Sequence, residues 1–191
     1  MVNRAVAAGL AILLAPVLAV VAVVVRLADG RPLFFVHQRA GLDGRPFGLL
    51  KFRTMRPPRS SDEPDADRIT RVGRLLRRSS VDELPELWNV VRGEMNFVGP
   101  RPLPVAYTAE YSPAEAKRLE VKPGLTGLVQ VRGRNALTWD EKFALDTWYV
   151  EHRTWALDVR ILLQTPLVVL RGGGISHDGH ATMPEFKGQN G

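Results

Sequence analysis

The sequence predicts an α+β fold: an N-terminal membrane helix followed by a small, mainly helical domain with one β-hairpin and amphipathic interfacial helices. Three observations predict it. An uncharged run of 21 residues, 5–25, lies near the N-terminus. Two strand-like stretches meet at Gly41-Leu42-Asp43-Gly44, a hairpin signal. Several short helical patterns with their own start signals follow. The 191 residues divide into a membrane-embedded helix over 1–28, a folded domain over 29–171 and a flexible, Gly-rich tail over 172–191.

The apolar run is bounded by Arg4 and Arg26. A helix of that length reaches about 30 Å, the thickness of a hydrocarbon core. It is too long for the core of a secretory signal, and no small-x-small cleavage site follows Arg26. Pro16 sits at its middle, where a proline removes a backbone bond and bends a helix. Arginines flank both ends (Arg4; Arg26, Arg31 and Arg39), and basic residues prefer the cytoplasmic side. That predicts a re-entrant helix broken at Pro16; a single kinked spanning helix fits the same residues. In either case the domain faces the cytoplasm.

Leu33–Arg39 and Pro46–Met55 read as the two hairpin strands. Pro57–Asp67 is a polar loop. Ile69–Arg78 reads as a basic amphipathic helix, with Ile69, Val72, Leu75 and Leu76 on one side and arginines on the others. Such a helix suits an anionic membrane surface or a solvated face. Next comes a helix to about Arg92, closed by Gly93. Either Asp82 caps it, with Pro85 in the first turn, or Ser80 and Glu83 form a capping box. Ser112-Pro113-Ala114-Glu115 starts a short helix with a capping box. Lys122–Gly127 is a turn-rich loop, followed by a strand over Leu128–Val131. Thr138 caps a helix to about His152. A last helix covers Ala156–Leu170 and is bent at Pro166; Leu157, Ile161 and Leu162 face the bilayer or the core. Trp139, Trp148, Tyr149 and Trp155 form an interfacial aromatic cluster or pack in the core.

Lys and Arg exceed Asp and Glu, 26 to 20, which favours anionic partners. The absence of cysteine excludes disulfides, cysteine-ligated zinc and a cysteine nucleophile. The four histidines lack ligand spacing. The most informative feature is Asp82-Glu83, preceded by Arg77-Arg78 and followed by Gly99-Pro100-Arg101-Pro102. A carboxylate can attack phosphorus, hard oxygen ligands hold Mg²⁺, and arginine grips phosphate with a planar fork. Adjacent acids by themselves are more often caps or solvated groups.

Several separated blocks together resemble the bacterial sugar transferase family, the small monotopic phosphoglycosyl transferases. They are Arg39-Ala40-Gly41, Lys51-Phe52-Arg53-Thr54-Met55, Ser80–Val90 around Asp82-Glu83-Leu84-Pro85, Phe97–Pro102, Lys122–Gly127, Asp146 with Tyr149-Val150, and Leu157–Leu162. The resemblance implies transfer of a sugar-1-phosphate from a UDP-sugar to undecaprenyl (polyprenyl) phosphate, with release of UMP, at the cytoplasmic face of a bacterial inner membrane. It implies Asp82 as a nucleophile carrying a covalent phosphosugar and Glu83, beside Asp82, as a ligand of Mg²⁺. The implied partners are the donor, the lipid acceptor, the bilayer and downstream glycosyltransferases, and no nucleic acid. Arg101 is expected to contact phosphate, and Lys51 and Arg53 the donor or lipid headgroups. Gln130, Arg132 and Arg134 are expected to line the nucleotide pocket. Asn89 is a site residue or makes a helix-face hydrogen bond. The chain departs from the family at Ala15, where Ser often precedes the proline, and at Val129, where an aromatic residue is usual. The competing class is a non-catalytic membrane adaptor, which has no need of Asp82-Glu83, Gly99–Pro102 and Lys122–Gly124 together.

Overall fold

The computed structural model describes residues 2–60, 62–171, 185, 186 and 188. The chain opens with α1 (Val2–Ala28), an apolar helix of 27 residues long enough to cross a membrane. Pro16 lies inside α1 and does not end it. Both ends of α1 are tied to the domain. Near its start, Arg4 Nε donates to the Val91 carbonyl (2.7 Å) and Asn3 Nδ2 to Asn96 Oδ1 (3.1 Å). At its end, Asp29 accepts from the Thr70 hydroxyl (2.9 Å), and its carbonyl accepts from Arg53. Ala7 and Val25, about 27 Å apart along the axis, are both fully buried in the domain's core. The rest of the helix surface carries exposed Ile12, Leu13, Val20 and Leu27.

β1 (Phe34–Ala40) and β2 (Pro46–Phe52) form the hairpin, antiparallel, with Phe35 opposite Lys51 and His37 opposite Leu49. The next stretch is irregular except for the short α2 (Asp65–Arg68). The basic helix is α3 (Arg71–Ser79), and the Thr70 hydroxyl caps it by accepting from Gly73 N (2.8 Å). Its apolar side is divided: Leu76 is buried while Leu75 points outward. Gly73 lets α3 touch the chain leaving β2, since a Cβ there would stand 2.0 Å from the Thr54 carbonyl oxygen.

The single helix expected from Asp82 to Arg92 is two elements, a 3-10 turn over Val81–Glu86 and α4 (Leu87–Arg92). Neither expected cap forms. Ser80 takes a left-handed conformation (φ 55°) that ends α3, so its hydroxyl turns away from the Glu83 backbone and accepts from Arg134 instead (3.0 Å). Gly93 closes α4 with φ 81°, as expected.

β3 (Asn96–Val98) and β4 (Gly124–Thr126) pair in parallel. The strand expected over Leu128–Val131 is instead α6 (Leu128–Arg132), and the turn-rich block before it supplies β4. Packing decides this. Leu128 joins Val98, Tyr149 and Ile161 in one core cluster, which outweighs the strand preference of Val129 and Val131. Between the strands lie a 3-10 turn over Val105–Glu110 and α5 (Pro113–Ala116), which has the predicted capping box. α7 (Trp139–His152) is capped by Thr138 and Glu141, and α8 (Trp155–Arg171) follows with Pro166 inside it. Ile161 faces the core, whereas Leu163, Leu167 and Leu170 are exposed. The expected cluster of three tryptophans and Tyr149 does not form: Tyr149 is buried, and Trp148 and Trp155 point outward. Of the tail, residues 172–184, 187 and 189–191 lie outside the described residues, and with them His177 and His180.

Asn89 is the joint between helix and hairpin. Its Oδ1 accepts from Leu50 N (3.1 Å), and its Nδ2 donates to the Gly48 carbonyl (2.8 Å) and to Glu94 (2.8 Å). The amide thus satisfies the free edge of β2 as a third strand would. Asn89→Ala strands these groups in a site that is 1% exposed, and is expected to cost about 1–3 kcal/mol. Thermal unfolding in detergent checks this, with Asn89→Ala melting below the unmodified protein.

Candidate active site

The hairpin presents two chemically different faces, because side chains alternate along a strand. Phe35, His37, Arg39, Leu49, Lys51 and Arg53 point into a cavity of about 690 Å³. Phe34 and Leu50 point the other way, into a smaller apolar groove beside α1, and Phe52 touches both spaces. The 3-10 turn divides in the same manner. Asp82 and Glu83 line the large cavity, while Leu84 and Pro85 line the apolar groove. The remaining cavity walls come from Arg77 on α3, the Arg101 loop, Gln130, Arg134, and an aromatic side formed by Tyr107, Trp139 and Phe143.

Asp82 and Glu83 are adjacent but electrostatically distinct. Glu83 Oε1 receives Lys51 Nζ at 2.6 Å and Arg101 Nη2 at 2.7 Å. Burial pushes the Glu83 carboxyl up, but Arg101 and Lys51 outweigh it and hold the group well below the usual range. Asp82 is 8% exposed, and among the described residues nothing donates to its carboxylate. Burial and the Glu83 charge raise its pKa; Lys51, Arg77 and Arg101 act against them at longer range. Glu86, on the next turn, faces Lys51 at 3.0 Å. Its burial pushes it up to about 7, against the pull of Lys51.

The Arg101 loop is fixed through its backbone. Gly99 N donates to the Thr126 carbonyl, and Gly124 N to the Pro100 carbonyl, each at 3.0 Å. Gly124 is required by that crossing, since a Cβ there would lie 2.1 Å from Gly99 N. Arg118 completes the support, donating to the Arg101 carbonyl (2.7 Å) while ion-paired with Asp146 (2.7 Å) and bonded to the Tyr111 hydroxyl (3.0 Å). Both members of the Arg118–Asp146 pair are 3% exposed at the side chain.

Positive charge exceeds its partners here. Arg39, Arg77 and Arg134 line the cavity, and among the described residues none of them has an ion-pair partner. Burial lowers the pKa of all three, that of Arg39 to about 10 with Arg101 adding to the effect. Arg39 Nε, Arg134 Nη1 and both amide atoms of Gln130 are buried without a hydrogen bond. Such groups on a cavity wall are free to bond ordered water or a polar ligand. The surplus of guanidinium groups favours an anionic one.

A family model described as bacterial sugar transferase matches residues 1–172. This chain belongs to that family. It is 49% identical over 168 residues to the uncharacterized sugar transferase EpsL of Bacillus subtilis, covering 86% of this chain and 83% of that protein. It is 44% identical over 176 residues to the UDP-glucose:undecaprenyl-phosphate glucose-1-phosphate transferase of Caulobacter vibrioides, covering 83% and 64%. It is 40% identical over 166 residues to the undecaprenyl-phosphate galactose phosphotransferase of Salmonella typhimurium, covering 76% and 35%. The chain thus spans less than two thirds of the length of the latter two.

The sugar transferase brings together Asp82, Glu83, Lys51, Arg101, Gln130 and Arg134 from the residues singled out in its sequence. Three others stand apart. Asn89 is the structural joint described above. Arg132 is exposed and does not line the cavity, because two residues along α6 turn it about 200°, away from the Gln130 face. Arg53 reaches the wall, but its terminal nitrogens bond the Asp29 and Arg31 carbonyls and so fasten the α1–β1 junction. Sequence reasoning gave no site role to Arg39, Glu86, Arg118, Lys142 and the aromatic wall, and named Arg77 only as one of the arginines preceding the two acids. Arg39 had a legible signal, since it shares the inward period of Phe35 and His37. The others depend on long-range folding.

Because the Glu86 carboxyl stays protonated to about 7 in the fold but ionises near 4.5 when unfolded, the native state binds more protons between those values. Its contribution therefore falls as pH rises through that window. Glu86→Gln is expected to flatten this decline, read as melting temperature from pH 4.5 to 8.

Proposed function

We propose that the protein transfers a sugar-1-phosphate from a UDP-sugar to undecaprenyl phosphate or a similar polyprenyl phosphate, through a covalent intermediate on Asp82. The observation that carries this reading is the asymmetry of the two acids. Glu83 is clamped, while Asp82 is enclosed, has no hydrogen-bond partner among the described residues, and lines the cavity. A nucleophile needs that freedom. The three arginines without counter-ions match the diphosphate of a nucleotide sugar, and the names of the Caulobacter and Salmonella relatives agree.

In the first half-reaction an Asp82 carboxylate oxygen attacks the phosphorus that bears the sugar. The bond from that phosphorus to the bridging oxygen breaks, and UMP leaves with the electron pair. Arg101, Arg39 and Arg134 offset the charge on the phosphate oxygens. In the second, a phosphate oxygen of the lipid attacks the same phosphorus, and the Asp82 carboxylate departs. Two half-reactions allow the soluble donor and the lipid acceptor to use one nucleophile in turn.

The donor set fits Mg²⁺ that brings substrate oxygens with it. Among the described residues no group of three acidic or histidine ligands makes a cage, but Mg²⁺ needs only one or two carboxylates beside phosphate and water. Asp82 and the second Glu83 oxygen are the groups that would hold it. When bound it would neutralise the diphosphate and the leaving UMP.

The apolar α1 and the exposed Leu163, Leu167 and Leu170 of α8 support a membrane-bound enzyme working at headgroup depth. Because both ends of α1 bond to the same domain, we infer that both lie on the cytoplasmic side, as in a re-entrant helix. The chain has no cysteine, so single Val2→Cys and Arg26→Cys variants report topology cleanly. Both should react with an impermeant thiol reagent from one side of sealed vesicles; labelling from opposite sides overturns the re-entrant reading.

The detergent-solubilised protein, given Mg²⁺, undecaprenyl phosphate and a panel of UDP-sugars, should release UMP. Asp82→Asn should lower that rate by at least about 10³-fold, the scale of losing a covalent nucleophile. Release of UDP in place of UMP would sink the mechanism.

A further inference from the structure

The aromatic side of the cavity is braced by a residue from the far end of the chain. Tyr107 belongs to the 3-10 turn Val105–Glu110, and Trp139 and Phe143 to α7. Their rings meet edge to face and stacked, with Tyr107–Trp139 at 5.8 Å and Trp139–Phe143 at 5.7 Å between centroids. All three line the cavity. Phe186 packs on each of them, at 5.7 Å from Tyr107, 5.5 Å from Trp139 and 5.0 Å from Phe143, and also meets Tyr111 at 6.0 Å. It is 7% exposed and does not line the cavity itself, so its ring stands behind the wall.

A second contact follows the same course. A Cβ on Gly188 would lie 3.0 Å from Glu110 Oε2, so the C-terminal segment runs against the same 3-10 turn that carries Tyr107. A buried phenyl ring wedged behind the three wall rings fixes their separation and tilt, because aromatic contacts are orientation-dependent. On the cavity side, Lys142 Nζ sits 4.9 Å from the Trp139 ring centroid and adds a cation to the wall. A planar or CH-rich ring is what such a surface binds.

Resting on the donor reading above, we propose that Phe186 is a positioning residue of the donor site: it holds Tyr107, Trp139 and Phe143 in the arrangement against which a ring of the UDP-sugar stacks. Phe186 is thereby part of the specificity apparatus.

The test uses the full-length protein in detergent, with Phe186→Ala and Phe186→Leu. UMP binding is read by tryptophan fluorescence, and KM and kcat by UMP release. Phe186→Ala is expected to raise the Kd for UMP and the KM for the UDP-sugar about tenfold, the scale of losing good aromatic stacking. Phe186→Leu, which keeps apolar volume, should recover part of the loss. The KM for undecaprenyl phosphate and kcat should stay within about twofold, since the phosphate groups are untouched. A rise confined to the UDP-sugar, with UMP binding unchanged, assigns the wall to the sugar and sustains the proposal. Unchanged KM and Kd overturn it, and so does a lowered KM, which would make Phe186 a plug. A fall in kcat that tracks a lower melting temperature, without a change in KM, overturns it in favour of general packing. If the unmodified protein binds no uridine nucleotide, the donor reading fails first; UMP binding and UDP-sugar KM that are both identical in all three proteins defeat this inference alone.

Discussion

Lys51 and Arg101 close on a single oxygen of Glu83, and that three-way contact holds together β2, the 3-10 turn and the Gly99–Pro102 loop. Each of these elements is short, and none would keep its place by intrinsic propensity. Two cations on one carboxylate fix the turn without using Asp82. The neighbouring acid is therefore left free while its backbone is immobilised. Glu86 shares Lys51 from the following turn, so the lysine is held from two directions. The cost is the burial of several charged groups, offset at Glu83 by its two cationic partners at 2.6 and 2.7 Å.

The second constraint is the alternation of the hairpin. One strand period assigns His37, Arg39 and Lys51, with Phe35 and Leu49, to the large cavity and Phe34 and Leu50 to the groove beside α1. The 3-10 turn repeats the division, acids on one side and Leu84-Pro85 on the other. The polar cavity and the apolar groove are thus separated by little more than one layer of backbone. That arrangement suits an enzyme whose two substrates differ as much as a nucleotide sugar and a polyprenyl lipid.

Much of the fold was legible in the sequence. The apolar run, the Gly41–Gly44 turn and the capping boxes at Ser112 and Thr138 are local signals, and local physics decided them. Gly93 ended its helix as its φ requires. Failures came where distant residues intervene. Ser80-x-x-Glu83 is a good capping box by spacing, yet Arg134 takes the serine hydroxyl and Lys51 the glutamate. Leu128–Val131 has strand-like composition, yet the core cluster with Tyr149 and Ile161 winds it into α6. In the site, Asp82, Glu83 and Arg101 were singled out through motif blocks that resemble the family, whereas the contacts that join them are long-range: Glu83 meets Lys51 across 32 residues and Arg101 across 18. Asn89 was read as a site residue or the maker of a helix-face hydrogen bond, and it does make such bonds, to partners about forty residues upstream on β2 that the sequence could not name. Phe186 had no local signal at all; a phenylalanine in a Gly-rich tail gains meaning only from the rings it reaches.

The burial of Ala7 among Leu87, Val90 and Met95 means that the bilayer segment supplies part of the domain's own interior. An anchor joined by a linker could be cut away to leave a water-soluble enzyme. Here, removing α1 would open the interior under α4 and β2 to solvent. The stability of the domain therefore depends on α1 as well as its location, and loss of the helix is a loss of core.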